Sequence, residues 1–168
     1  MTPIRTPHEL FVHRLQTMLW VEETLAKEIL PMLRDHVHST GLTYGLERHE
    51  LETKQHALTV RGILHLIGER GEPQESRALL GLKAEHDELM EEIDLDRHAV
   101  SDLMHAGVIA QSEHLEISAY TELRSLANAL GEEDVAMRLQ EILEQEQHAL
   151  ELVEKQLAKL LAEEVENA

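Results

Sequence analysis

Apolar residues recur along this chain in steps of three and four, the spacing of one face of an α-helix. Phe11, Leu15, Met18, Leu25, Ile29 and Met32 trace a first face; Leu42, Leu46, Val60, Ile63 and Ile67 trace a second. Ala106, Ile109, Leu123, Ala127 and Leu130 mark a third, and Val135, Leu139, Ile142, Leu150, Val153, Leu157 and Leu160 a fourth. Local signals set the ends. Thr6, Pro7 and Glu9 read as an N-cap, a first-turn proline and a capping box. Ser39-Thr40-Gly41 and the stretch Gly68 to Pro73 read as breaks. Gly131 fits a left-handed C′ position, and Glu132, Glu133 and Asp134 suit the positive start of the next helix. Pro31 lies inside the first pattern, which predicts a kink rather than an end. The predicted helices cover about 7–37, 41–68, 75–93, 96–130 and 132–164. Residues 1–168 thus read as a single all-α domain. Its plan is a four-helix bundle of two long antiparallel hairpins, with a short extra helix in the connector.

Polar residues interrupt these faces. Glu22 on the first, His49 and His56 on the second, Glu113 and Glu116 on the third and Glu146 on the fourth occupy stripe positions. Each lies within roughly 40° of the centre of its own apolar face at ~100° per residue. A buried carboxylate without a partner costs several kcal/mol, so inward polar groups on all four long helices call for a common partner. A metal ion satisfies several carboxylates at once. The heights agree: Glu22 lies 18 residues before the turn at Thr40 and His56 lies 16 after it. In the second hairpin Glu113 lies 18 before Gly131, Glu116 lies 15 before, and Glu146 lies 15 after. At ~1.5 Å per residue these groups form one polar layer at the middle of the bundle.

Glu52-x-x-x-His56 and Glu144-x-x-x-His148 look like a matched pair, but the periodicity separates them. His56 belongs to its stripe, and Glu52 lies on the flank, ~80° from the centre, within reach of a long side chain. His148 lies ~180° from the Leu139/Leu157 face and Glu144 about 140°, so Glu146 is assigned to the core and His148 to the surface. His49 reads either as a hydrogen-bonding partner of the ligands or as a ligand itself, and Tyr120 as a core residue whose hydroxyl can bond a carboxylate. Asp102-x-x-His105 has ligand spacing, but His105 is ~12 Å from Glu113 along the helix and belongs elsewhere. His8, His36, His38, His65, His86, His98 and His114 show no constellation in the sequence.

Composition supports the class and excludes others. Aromatic residues are 2% of the chain, too few for a sandwich or barrel core. There is no cysteine, so thiolate metal sites, disulfides and thiol catalysis are excluded. The 15 basic and 33 acidic residues give a charge of −18, which repels nucleic acid and anionic membranes and attracts cations generically. Neither a secretory leader nor a membrane span is expected, which makes the cytoplasm the expected location.

The chain resembles the YciE/YciF-type ferritin-like proteins, a bacterial stress-associated family, over about residues 10 to 160. Trp20-Val21-Glu22-Glu23-Thr24-Leu25, Leu30-Pro31-Met32, His49-Glu50-Leu51-Glu52-Thr53 with His56, and Leu66-Ile67-Gly68-Glu69 carry the resemblance. Glu113-His114-Leu115-Glu116-Ile117 followed by Tyr120 is its most specific element, and the acidic run from Glu144 completes it. The resemblance implies a ferritin-like four-helix bundle with a dimetal centre, in a small oligomer such as a homodimer. Two departures stand out: Thr53 precedes His56 by three and Ala149 follows Glu146 by three, where ferritins and rubrerythrins carry Glu-x-x-His.

On this reading the ligands are Glu22, Glu52, His56, Glu113, Glu116 and Glu146. Glu22 and Glu113 take terminal roles, Glu52 and Glu146 bridging roles, His56 a terminal nitrogen, and Glu116 an extra position. Oxygen ligands with imidazole suit two Fe or Mn ions, and such a pair reacts with O2 or peroxide in ferroxidase- or peroxidase-like chemistry. The alternatives are a non-catalytic metal-binding protein and a metal-free acidic interaction module.

Overall fold

The structure is a computed structural model that describes residues 3–94 and 96–166. The outermost residues of the expected domain 1–168 lie outside the described residues. The elements are α1 (Pro7–Thr24), a π-helical turn (Leu25–Ile29), α2 (Leu30–His36), α3 (Thr40–Leu66), α4 (Arg77–Glu92), α5 (His98–Ala129) and α6 (Glu133–Glu166). No strand occurs among the described residues. α1, the π turn and α2 follow one another without a break, so the four long rods form two hairpins with α4 in the connector.

Side-chain chemistry starts and stops these helices. Thr6 Oγ1 accepts from Glu9 N–H at 3.1 Å, and Glu9 Oε2 accepts from Thr6 N–H at 2.9 Å, closing the capping box. Ser76 caps α4 by accepting from Leu79 N–H. Gly68 and Gly131 have φ of 79° and 77°, the left-handed conformation that ends α3 and α5. Glu132 N–H then donates to Ala127 O at 3.0 Å and turns the chain into α6. Around Pro31 the expected kink takes a specific form. Proline lacks an N–H, and its ring crowds the carbonyl four residues back. Here the preceding turn is π-helical, with Leu30 N–H donating to Leu25 O five residues back.

α5 and α6 pack along their lengths, and α1, α3, α5 and α6 surround one apolar core that includes Phe11, Leu15, Ile63, Leu123 and Leu139. Two straps fix the connector. Gln74 N–H donates to Gln16 O at 3.0 Å, and Arg61 donates to Gly71 O at 3.3 Å. No described helix is long and apolar enough to cross a membrane.

Candidate metal centre

Two groups of buried side chains that could hold a metal ion lie inside the core: Glu22, His56 and Glu146, and His49, Glu113 and Glu116. Within each group the ligand atoms lie within 4.8 Å of one another. Glu22, Glu113, Glu116 and Glu146 are each fully buried, at 0% exposure. α1 supplies Glu22, α3 both histidines, α5 Glu113 and Glu116, and α6 Glu146. Each ligand sits where the heptad-like stripe of its helix would otherwise carry an apolar residue.

The two groups are linked. His56 Nδ1 lies 2.9 Å from Glu146 Oε1 and 3.6 Å from Glu22 Oε2, while His49 Nε2 lies 3.0 Å from Glu113 Oε1. The other oxygen of Glu146 lies 4.0 Å from His49 Nδ1, so this carboxylate faces both groups. Outer partners orient the ligands. Tyr120 O–H donates to Glu22 Oε1, and His56 Nε2 is 2.6 Å from Gln145 Oε1. Glu52 stands at the flank, part-exposed, with Oε1 3.3 Å from Arg48 Nε and Oε2 3.9 Å from His49 Nδ1. Glu52 belongs to neither group, whereas His49 belongs to the second. Glu144 is exposed and accepts from Gln140, and His148 is exposed beside Glu151.

Electrostatics expose a shortfall. Both oxygens of Glu116, Oε2 of Glu22, Glu113 and Glu146 and Nδ1 of His49 have no hydrogen-bond partner, and beyond the close His49–Glu113 and His56–Glu146 contacts the layer is unsatisfied. Burial first, then the neighbouring Glu146, Glu22 and Glu113 carboxylates, raise the Glu116 pKa well above 4.5. Burial also raises Glu113, against the opposing pull of His49. Burial pulls both imidazoles down, but the carboxylates override it: Glu113, with Glu52 and Glu146, holds His49 well above 6.5. Glu146 and Glu22 bring His56 to about 10. Four carboxylates face two imidazoles, so two imidazolium ions balance only two of them, and the other two must stay protonated or meet a cation in a dry layer. The donor set therefore fits divalent cations.

A second polar cluster lies at the end of the bundle, built around the Asp102-x-x-His105 pair of α5. His86 Nε2 is 3.2 Å from His105 Nδ1, and both residues are buried. The His36 ring is 6.1 Å from that of His105, and His38 stacks on His98 at 3.7 Å. Asp102 accepts from the N–H groups of His38 and Ser39 at 2.8 and 2.7 Å, tying α5 to the turn before α3. The histidines come from α2, that turn, α4 and α5, and only tertiary packing brings them together.

Fold and site together define an all-helical, ferritin-like bundle with a buried carboxylate–imidazole layer. Residues 6–166 match the family described as "Domain of unknown function (DUF892)", and the chain belongs to it. Among solved structures, YcfI from Rhodopseudomonas palustris is 26% identical with a TM-score of 0.86, covering 91% of this chain and 96% of that one. The E. coli stress protein YciF is 22% identical with a TM-score of 0.87, covering 95% and 99%. A protein from Xanthomonas campestris pv. campestris is 22% identical with a TM-score of 0.75, covering 96% and 98%. No curated protein matches the sequence.

Proposed function

We propose that the chain is a dimetal carboxylate protein in which Glu22, His56 and Glu146 hold one iron or manganese ion and His49, Glu113 and Glu116 hold a second. The observation that supports it is the buried layer of ligand atoms without hydrogen-bond partners. Two divalent cations balance four carboxylates and leave both imidazoles neutral and free to ligate. Oxygen-rich sites with one imidazole each suit iron or manganese better than copper or zinc. When bound, such a pair supplies electrons that couple metal oxidation to the reduction of O2 or peroxide.

The chain's own residues prepare the layer. Tyr120 holds one oxygen of Glu22 and leaves the other toward His56. Gln145 engages Nε2 of His56, which leaves Nδ1 directed at Glu146 and Glu22. Glu146, facing both groups, would serve both metal positions, and Glu52 stands beside His49 at the flank. The same reading includes a cytoplasmic homodimer in stress protection, with neither nucleic acid nor membrane as partner.

Metal analysis of protein purified without chelators tests the proposal. About two Fe or Mn per chain are expected, as in two-metal sites generally. A metal-free protein that stays metal-free on reconstitution overturns it. Following Fe(II) loss after mixing with O2 or peroxide then separates turnover, the expected result, from metal binding alone.

A further inference from the structure

α4 rests on the bundle through a buried leucine and a buried histidine, Leu79 and His86, whereas the long helices share the apolar core. His86 Nε2 lies 3.2 Å from Nδ1 of His105 on α5, a hydrogen bond between two rings that are both buried. On the other side of the His86 ring, Nδ1 lies 3.4 Å from Asp87 Oδ1. That carboxylate sets the order of the protons, because a neutral imidazole donates from one nitrogen and accepts at the other. His86 donates from Nδ1 to Asp87 and accepts at Nε2 from His105 Nδ1–H. His105 Nε2 is then the bare nitrogen, buried and without a hydrogen-bond partner.

We infer that this pair of rings is an acid-labile latch: protonation of His105 Nε2 releases α4 from α5 while the rest of the bundle stays folded. In the closed form that proton creates a buried cation whose new N–H meets no acceptor. The surroundings oppose it as well. Burial disfavours charge on His105 most, followed by His86 of α4, His36 of α2 and His38 of the following turn, while Asp102 favours it. Both Asp102 oxygens are already taken, by His38 N–H at 2.8 Å and Ser39 N–H at 2.7 Å. His98 lies behind His38, stacked on it at 3.7 Å. Beside His86 the charged groups are Asp87 and Lys83, which pair with each other at 2.5 Å. Once α4 moves away, water supplies the missing acceptor. The ring titrates at the ordinary 6.5 in the open form and at about 4 in the closed one. A lowered closed-form value means that the latch is complete above 6.5 and gives way as pH falls toward about 4. Opening uncovers Leu25 and Ile29 of the π turn and Leu33 of α2, which line a small cleft with Leu79, Leu82 and His86. The latch stands on these contacts and is independent of the dimetal reading.

Hydrogen–deuterium exchange with mass spectrometry tests the latch on the full-length protein at about pH 7.5 and about pH 5.5, with rates corrected for intrinsic exchange. Peptides from α4 should lose about tenfold in protection at the lower pH, the factor expected about one pH unit below the ordinary histidine value. Peptides from α1, α5 and α6 should keep theirs. His105→Gln carries no charge at either pH and should bring the ratio of α4 protection between the two conditions close to one. His105→Leu gives the same test if that variant does not fold. A purely structural role for His105 would loosen α4 equally at both pH values and leave the ratio as in wild type. Unchanged α4 protection in wild type, a ratio that survives in the His105 variants, or a loss spread equally over α1, α5 and α6 overturns the inference.

Discussion

The two buried polar regions of this bundle contain imidazoles in opposite electrostatic states. In the central layer His56 is buried against Glu146 and Glu22, and its pKa rises to about 10 despite desolvation. At the bundle end His105 is just as inaccessible, but burial and then its neighbours His86 and His36 bring it down to about 4. Asp102 opposes that shift, yet its two oxygens are committed to the backbone of His38 and Ser39. Burial alone therefore does not decide whether an inward histidine carries charge; the partner does. The centre concentrates negative charge that calls for cations, and the end holds the buried His105 ring neutral.

Removing the carboxylate that faces both ligand groups should break this difference most severely. Glu146→Ala should weaken metal binding by more than the ~10–100-fold that changes around a metal site typically cost. His105→Gln should leave the metal content unchanged. Metal analysis of both variants beside wild type checks the pair, and metal loss in His105→Gln would merge the two regions into one site.

Acid and base should unsettle the regions in opposite directions in metal-free protein. The folded pKa values of Glu113, Glu116, His49 and His56 are raised, so their contribution is complete at low pH and is lost as pH rises. For His56 that loss runs from 6.5 to about 10. The His105 pKa is lowered, so its contribution is complete above 6.5 and is lost as pH falls toward about 4. Thermal unfolding across this range should show a shallower alkaline loss for Glu116→Gln and a shallower acid loss for His105→Gln. Bound metal should flatten the alkaline limb, including the interval between about pH 6 and 8, because it keeps the carboxylates ionised. Identical apo and holo profiles would count against a buried charged layer.

A smaller effect is expected where one hydrogen bond supports the layer. Tyr120→Phe removes the donor to Glu22 at a fully buried position. It should cost the metal-free protein about 1–2 kcal/mol in urea unfolding. No measurable change would mean that water or another donor replaces the hydroxyl.

The contrast between regions also explains what the sequence made legible. Helix ends at Thr6, Gly68 and Gly131 follow from neighbouring residues, and local chemistry is readable from a single chain. Glu22, His56, Glu113, Glu116 and Glu146 stood out because each breaks the periodicity of its own helix. His49 also lies on a stripe, but its closeness to Glu113 on another helix depends on packing that periodicity does not specify. Glu52 was within reach of the layer by helical angle, and its pairing with Arg48 one turn earlier gives it a partner at the flank. Of the end cluster only the Asp102-x-x-His105 spacing was legible, since His36, His86 and His105 come from three helices and share no spacing. The π turn before Pro31 is a choice among several ways of accommodating a proline.

The smallest expected effect tests the two readings of α6. A motif reading pairs Glu144 with His148, in parallel with Glu52 and His56. The structure turns both residues of the α6 pair outward and places Glu146 at 0% exposure between the histidines of α3. His148 has 54% side-chain exposure, and its neighbouring carboxylate, Glu151, is 3.9 Å away and also exposed. An exposed ion pair of that kind contributes little, because water screens both charges and the side chains lose freedom on pairing. His148→Ala should therefore change stability by ~0.5 kcal/mol or less, and metal stoichiometry should match wild type. Chemical denaturation and metal analysis of this variant, run beside Glu146→Ala, give the decision. Metal loss in His148→Ala with retention in Glu146→Ala would require α6 to turn by nearly half a revolution. That rotation would expose Leu139 and Ile142, which now lie in the core at 0% and 3% exposure, and the apolar face of α6 opposes it.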